Sequence, residues 1–195
     1  KLEPYTVLAK RLGSLLGQLD VKEPREFRVT FTGEAAELSP KSITHASLAG
    51  FLSRLKNEPV NPLSAPSEAA ERGISIVEVI EKSAQAYMST VRITVQDKSN
   101  VHTVTGTLSA EGDPRLVGMD VRPMDALLEG DALVMRNQNI PGVIGAVGTI
   151  LGKHKINVAR MNVRPGPEGS EAIGIWNVDS IITEEALAEI RKLPQ

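Results

Sequence analysis

Tyr5, Leu8, Leu12, Leu15, Leu16 and Leu19 recur at steps of three and four residues, with Lys10 and Arg11 off the stripe. That spacing predicts a helix with one apolar face. Phe27 to Thr32 then alternates apolar and polar, the period of a strand with one buried side, and Gly33 marks the turn after it. Ser39-Pro40 reads as an N-cap followed by proline at the first helical position, with Ile43, Leu48, Phe51, Leu52 and Leu55 available to a core. Residues 57–67 carry three prolines and read as a loop, followed by a short helix over 67–72 stopped by Gly73. Residues 74–80, 91–95, 101–108 and 116–121 are predicted strands, the last two separated by the turn Glu111-Gly112-Asp113-Pro114.

The pattern changes at Glu129-Gly130-Asp131, which sets the expected domain boundary: 1–129 and 130–195. Beyond it a strand over 132–137 precedes a helix over 141–153, a strand over 158–163 and a turn-rich loop over 164–169. A strand over 172–178 follows, then a helix capped by Thr183 with Ala186, Leu187, Ile190 and Leu193 on one side. The order βαββα is that of a small ferredoxin-like unit, so the whole chain is predicted to be α+β.

Composition narrows the chemistry. Lys plus Arg number 22 against 24 Asp plus Glu, a net charge of -2, which gives no basic surface for nucleic acid or an anionic membrane. There is no cysteine, so disulfides, thiolate metal sites and cysteine nucleophiles are excluded, and a cytoplasmic protein is expected. No apolar run approaches the roughly 18 residues of a membrane helix, and no signal peptide is expected. Lys1 stands where an initiator methionine would, so the chain reads as a piece of a longer one. His45, His102 and His154 lie far apart, and no metal site is expected from them. Lys41, Arg54, Lys56 and Arg72 form a possible basic patch that reads as a solvated face. Trp176 reads as core or interface. No Ser-His-Asp set and no phosphate-cradling Gly-Lys-Ser/Thr motif occurs, so no catalytic residue is assigned.

The most informative stretch is Arg136 to Gly145. A strand ends, Asn139 stands at the expected N-cap, and Pro141-Gly142 opens a helix. Free N–H groups at a helix start bind anions, and the amide oxygen of Asn139 can accept from an ammonium group, so the corner could hold an amino acid. The residues alone favour Asn139 as a simple cap and leave the ligand role open. Gly142, Gly145 and Gly148 each cost a helix about 0.8–1.0 kcal/mol relative to alanine, which predicts close packing of the helix against a neighbour.

Asn137-Gln138-Asn139-Ile140-Pro141-Gly142-Val143-Ile144-Gly145-Ala146-Val147-Gly148, followed by Ile156-Asn157-Val158-Ala159-Arg160-Met161, resembles an ACT domain, most of all that of the D-3-phosphoglycerate dehydrogenase family. Leu2-Glu3-Pro4-Tyr5, Asn61-Pro62, Glu71-Arg72-Gly73-Ile74 and Thr103-Val104-Thr105-Gly106-Thr107 resemble that family's intervening domain. The resemblance implies an intervening α/β domain followed by a ferredoxin-like βαββα(β) ACT domain, with a last strand expected to begin at Leu193-Pro194-Gln195. It implies a regulatory segment with no cofactor of its own, belonging to an NAD-dependent oxidoreductase of serine synthesis. It also implies homo-oligomerisation through ACT domains and L-serine as effector. In that picture Asn139 and Asn157 match the effector-binding positions, Asn137 matches a neighbouring position of the site that varies in the family, and Gly142 and Val143 would offer backbone N–H groups to the serine carboxylate. Two other readings share the layout: the β-type subunit of an iron–sulfur L-serine dehydratase, whose Ser-Ser-Ser-His-type segment is missing here, and a free-standing amino-acid sensor.

Overall fold

The leucine stripe at the start of the chain becomes helix α1 (Leu2–Leu16), which buries Tyr5, Leu8, Ala9, Leu12 and Leu16. The computed structural model describes residues 1–82, 87–166 and 170–193. It divides the chain into two units, Lys1–Leu128 and Glu129–Gln195.

In the first unit α1 is followed by β1 (Glu26–Thr32), α2 (Glu34–Leu38), α3 (Pro40–Lys56), α4 (Ala65–Glu71) and β2 (Ser75–Ile80). β2 lies parallel to β1, pairing Phe27 with Ile76 and Phe31 with Ile80, so the three helices form a crossover. The remaining strands, β3 (Thr90–Gln96), β4 (Val101–Leu108), β5 (Pro114–Met119) and β6 (Arg122–Leu127), are antiparallel neighbours. The sheet order is β2-β1-β3-β4-β5-β6. α1 packs on β4 and β5, where Gly106 lies under the Leu8 and Leu12 side chains. Phe51 of α3 meets Phe27 of β1 with ring centroids 5.3 Å apart.

α1 and α3 cross with their backbones in contact. A Cβ at Gly13 would lie 1.9 Å from the Ser47 carbonyl oxygen, and one at Gly50 would lie 2.1 Å from that of Lys10. Glycine at both positions therefore sets the separation of the two helices. α3 is consequently buried on most of its circumference, Ile43 to Leu52 with the exception of His45.

Several expectations are corrected. α1 ends at Leu16, and Leu19 falls in the turn beyond, because Gly17 is held against the Phe51 carbonyl. Leu55 is only half buried. β1 does not bury one face alone: Thr30 and Thr32 are buried too, and the Thr32 hydroxyl pairs with that of Thr90 at 2.9 Å. Gly33, at φ 59, leads into the short α2, and α4 begins at Ala65 rather than Ser67. The strand expected over 116–121 stops at Met119. Asp120, at φ 52, turns the chain into β6, a strand that Pro123 disguises in the sequence and that pairs only with β5. Proline is tolerated on such an edge.

The second unit is β7 (Asp131–Gln138), α5 (Val143–Lys153), β8 (Val158–Arg164), β9 (Glu171–Val178) and α6 (Glu184–Ile190). Its sheet order is β7-β9-β8, antiparallel throughout, with Leu133 opposite Trp176 and Asn137 opposite Ala172. Leu133, Trp176 and Val178 on the sheet pack with Val143, Val147 and Leu151 of α5 and with Ala186 and Ile190 of α6. The Thr183 hydroxyl accepts from the Ala186 N–H and caps α6, as expected. The unit has the ferredoxin-like order. Pro167, Glu168 and Gly169 of the expected loop, and Pro194 and Gln195 of the expected last strand, lie outside the described residues.

Candidate effector site at the start of α5

β7 ends in Asn137-Gln138, and the chain folds over before α5: the Ile140 N–H donates to the Gln138 carbonyl at 2.9 Å. Gly142, at φ 94, is the residue that begins the helix, a conformation that favours glycine. No side chain caps the first turn. The leading N–H groups of a helix have no intrahelical partner and sit at the positive end of its dipole, so this turn is a place for a carboxylate. Gly142, Ile144 and Gly145 are exposed there, while Val143 is buried.

Asn139 does not cap α5, which starts three residues later than a cap at Asn139 would require. Its N–H donates to the Ser170 carbonyl at 2.8 Å, and its side-chain nitrogen donates to the Gly166 carbonyl at 3.1 Å. The side chain is thereby fixed toward the β8–β9 connection, and that bond leaves the amide oxygen as an acceptor. Asn137 is buried, its side-chain nitrogen donating to the Gln138 carbonyl at 2.7 Å.

Asn157 is not brought to this corner. It precedes β8, where its N–H donates to Asp179 Oδ1 at 3.1 Å and its carbonyl accepts from the Asp179 N–H at 3.2 Å. Asn139 is tied to Ser170 and Asn157 to Asp179, at opposite ends of β9. That is nine residues of extended chain, about 30 Å at the usual strand rise. Of the sequence-predicted set, Asn137, Asn139, Gly142 and Val143 share one end of the unit and Asn157 stands at the other.

The glycines of α5 also depart from expectation. A Cβ at Gly142, Gly145, Gly148 or Gly152 would meet nothing within 4 Å, so close packing within this chain does not explain them. The helix turns a side-chain-free strip outward. At its far end Glu189 of α6 accepts from Lys153 Nζ at 2.9 Å and sits 3.0 Å from His154 Nε2. Lys153 and then His154 hold that carboxyl below its usual range.

Sequence reasoning missed the polarity of Trp176. The residue is core, but its indole Nε1 is buried without a hydrogen-bond partner, and the edge of the ring lies over Gly174, where a Cβ would come within 2.7 Å of Nε1. No sequence signal marks this; it depends on the register of β9 and the absent side chain at Gly174. Elsewhere, Lys56 of the expected basic patch lies between Glu58 at 2.6 Å and Glu68 at 2.7 Å, which offsets its charge within the unit. Among the described residues no group of three His, Asp or Glu side chains could hold a metal, and no helix is long and apolar enough to cross a membrane.

The sheet, the two helices and the open start of α5 define the class: residues 132–195 match the model of the ACT domain, and the second unit is one. Residues 1–120 match the model of the D-3-phosphoglycerate dehydrogenase intervening domain. The chain belongs to the D-3-phosphoglycerate dehydrogenase family through that domain, with an ACT domain after it. It is 33% identical over 195 residues to the D-3-phosphoglycerate dehydrogenase of Bacillus subtilis, covering all of this chain and 37% of the relative. It is 31% identical over 194 residues to that of Synechocystis, covering 99% of this chain and 35% of the relative. With the enzyme of Methanocaldococcus jannaschii the figures are 28% identity, all of this chain and 37% of the relative. The chain thus spans little more than a third of the length of these relatives, matching their C-terminal part.

Proposed function

We propose that this chain is the L-serine-sensing, self-associating regulatory segment of a cytoplasmic D-3-phosphoglycerate dehydrogenase, with the NAD-dependent chemistry carried by the rest of that enzyme. The observation that carries the reading is the bare first turn of α5: Gly142 at φ 94, no side-chain cap on its leading N–H groups, and the Asn139 side chain fixed by the preceding turn. A carboxylate fits the N–H groups of Gly142 and Val143, and an ammonium fits the Asn139 amide oxygen.

The separation of Asn139 from Asn157 supports a site shared by two chains. A second copy related by a two-fold axis, with its α5 antiparallel to the first, brings Asn139 of one chain beside Asn157 of the other. The outward strip of Gly145, Gly148 and Gly152 lets two such helices approach closely. Serine that binds one arrangement better shifts the protein toward it, and the coupling is reciprocal, typically about 1–3 kcal/mol.

Isothermal titration of L-serine into wild type, Asn139→Ala and Asn157→Ala tests the reading. Each variant is expected to bind at least tenfold more weakly, on the order of 1.4 kcal/mol. Equal binding by all three places the site elsewhere, and no binding by wild type rejects the sensor.

A further inference from the structure

We infer that Arg160 and Arg11 form a relay that carries the state of the effector site from the second unit to helix α1 of the first. The inference rests on the effector reading above and concerns how binding there is transmitted. Leu128 is the last residue of the first unit and Glu129 the first of the second, so one peptide bond joins them. Each is held by its own unit. The Leu128 N–H donates to the Pro114 carbonyl at 3.0 Å, and the Leu128 carbonyl accepts from the Arg11 guanidinium. The Glu129 carboxylate accepts from Arg160 Nη1 at 3.0 Å, and the Glu129 carbonyl accepts from the Asn177 side-chain nitrogen at 3.3 Å. Hydrogen bonds with a charged member are the stronger kind, and one stands on each side of the joint.

Both anchors stand where a relay needs them. Arg160 and Asn177 lie opposite each other on β8 and β9. That rung is at the Asn157 end of the unit: Asn157 precedes β8, and Asp179, which holds it, follows β9. An effector that shifts Asn157 therefore acts on the same ends of β8 and β9 that hold Glu129. The joint is short, since β6 ends at Leu127 and β7 begins at Asp131. The Leu128 carbonyl and the Glu129 Cα share one peptide plane, so the joint passes a displacement on rather than absorbing it. On the far side Arg11 lies between Lys10 and Gly13, the two points where α1 meets the α3 backbone. Backbone in such contact does not yield locally, and a displacement at Arg11 is felt by the helix as a whole.

Hydrogen–deuterium exchange of the 195-residue chain, with and without saturating L-serine, tests the relay in wild type, Arg11→Met and Arg160→Met. Methionine keeps an apolar stem and removes the donor, and both arginines are exposed, so neither variant disturbs a core. Isothermal titration of the same samples shows whether serine binds. In wild type, serine is expected to change exchange around Asn157 and, at least twofold, across α1. In each variant serine is expected still to bind and to change exchange around Asn157, with the α1 response lost. An α1 response that persists in either variant, or α1 exchange in wild type that is indifferent to serine that binds, overturns the relay and leaves the effector site standing. If wild type binds no serine, the effector site and the relay fall together. Reciprocity adds a second reading, because a group that couples two units also sets how each responds to the other: the α1–α3 variant Gly13→Ala should alter serine affinity in the wild-type background and leave it unaltered beside Arg11→Met. Equal effects in both backgrounds count against the relay.

Discussion

Single carboxylates show how local geometry sets a residue's role. Asp97 is buried at the end of β3 and accepts backbone N–H groups from Ser99 at 2.8 Å, Lys22 at 3.1 Å and Asn100 at 2.6 Å, with His102 Nε2 at 3.5 Å. It therefore ties the α1–β1 connection to the β3–β4 turn. The N–H of Ser99, then those of Lys22 and Asn100, hold its carboxyl at about 2. The folded value lies below the unfolded one of about 3.9, so the stabilisation is present above pH 4 and is lost as pH falls from there through about 2. Melting temperatures measured from pH 7 down to pH 2 should fall more steeply below pH 4 for wild type than for Asp97→Asn. Parallel acid limbs would contradict the assignment. Nothing in the run Gln96 to Asn100 announces this from sequence, because one of its three donors arrives from 75 residues away.

At the level of elements, two sets of helical glycines have opposite meanings. Gly13 and Gly50 lie backbone-to-backbone at the α1–α3 crossing, and alanine at either forces the helices apart. Overpacking of this kind costs about 1–3 kcal/mol or more, which outweighs alanine's helix preference; denaturant titration should show a net loss for Gly13→Ala. Gly148 has open space around it. Gly148→Ala should stabilise the isolated chain by up to about 1 kcal/mol, whereas Gly148→Leu should shift light-scattering mass toward 21.0 kDa, the monomer. A wild type that stays at monomer mass at all concentrations would remove the reason offered for the strip. The existence of most elements was legible in the spacing of Leu8, Leu12 and Leu16, in the alternation of Val91 to Val95, and in Thr183. β6 was hidden by Pro123, and α2 was too short to carry a period. The glycine pattern of α5 was visible, but its direction was not, since periodicity cannot tell a helix face turned to a neighbour from one turned to solvent.

For the molecule as a whole, each unit carries its own core, one around α1, α3 and the six-stranded sheet and one around α5, α6 and the three-stranded sheet. Residues 129–195 expressed alone should therefore fold and keep the serine response, as read by circular dichroism and titration; an unfolded fragment would show that the first unit is needed. The residues proposed for an effector site were named from sequence, but their placement at two ends of the unit was not legible there. Asn139 and Asn157 are close in the chain's logic, strand then helix then strand, and far apart in space because an 11-residue helix separates them. That separation has a genetic consequence. If each pocket takes Asn139 from one chain and Asn157 from another, two defective chains can rescue each other. Asn139→Ala and Asn157→Ala proteins, unfolded, mixed in equal amounts and refolded, would form hybrids in which one pocket carries both lesions and the other carries neither. About a quarter of the wild-type serine sites would return at wild-type affinity from two parents whose own sites are at least tenfold weaker, as random pairing across a two-fold axis requires. A pocket built within one chain would give no such recovery.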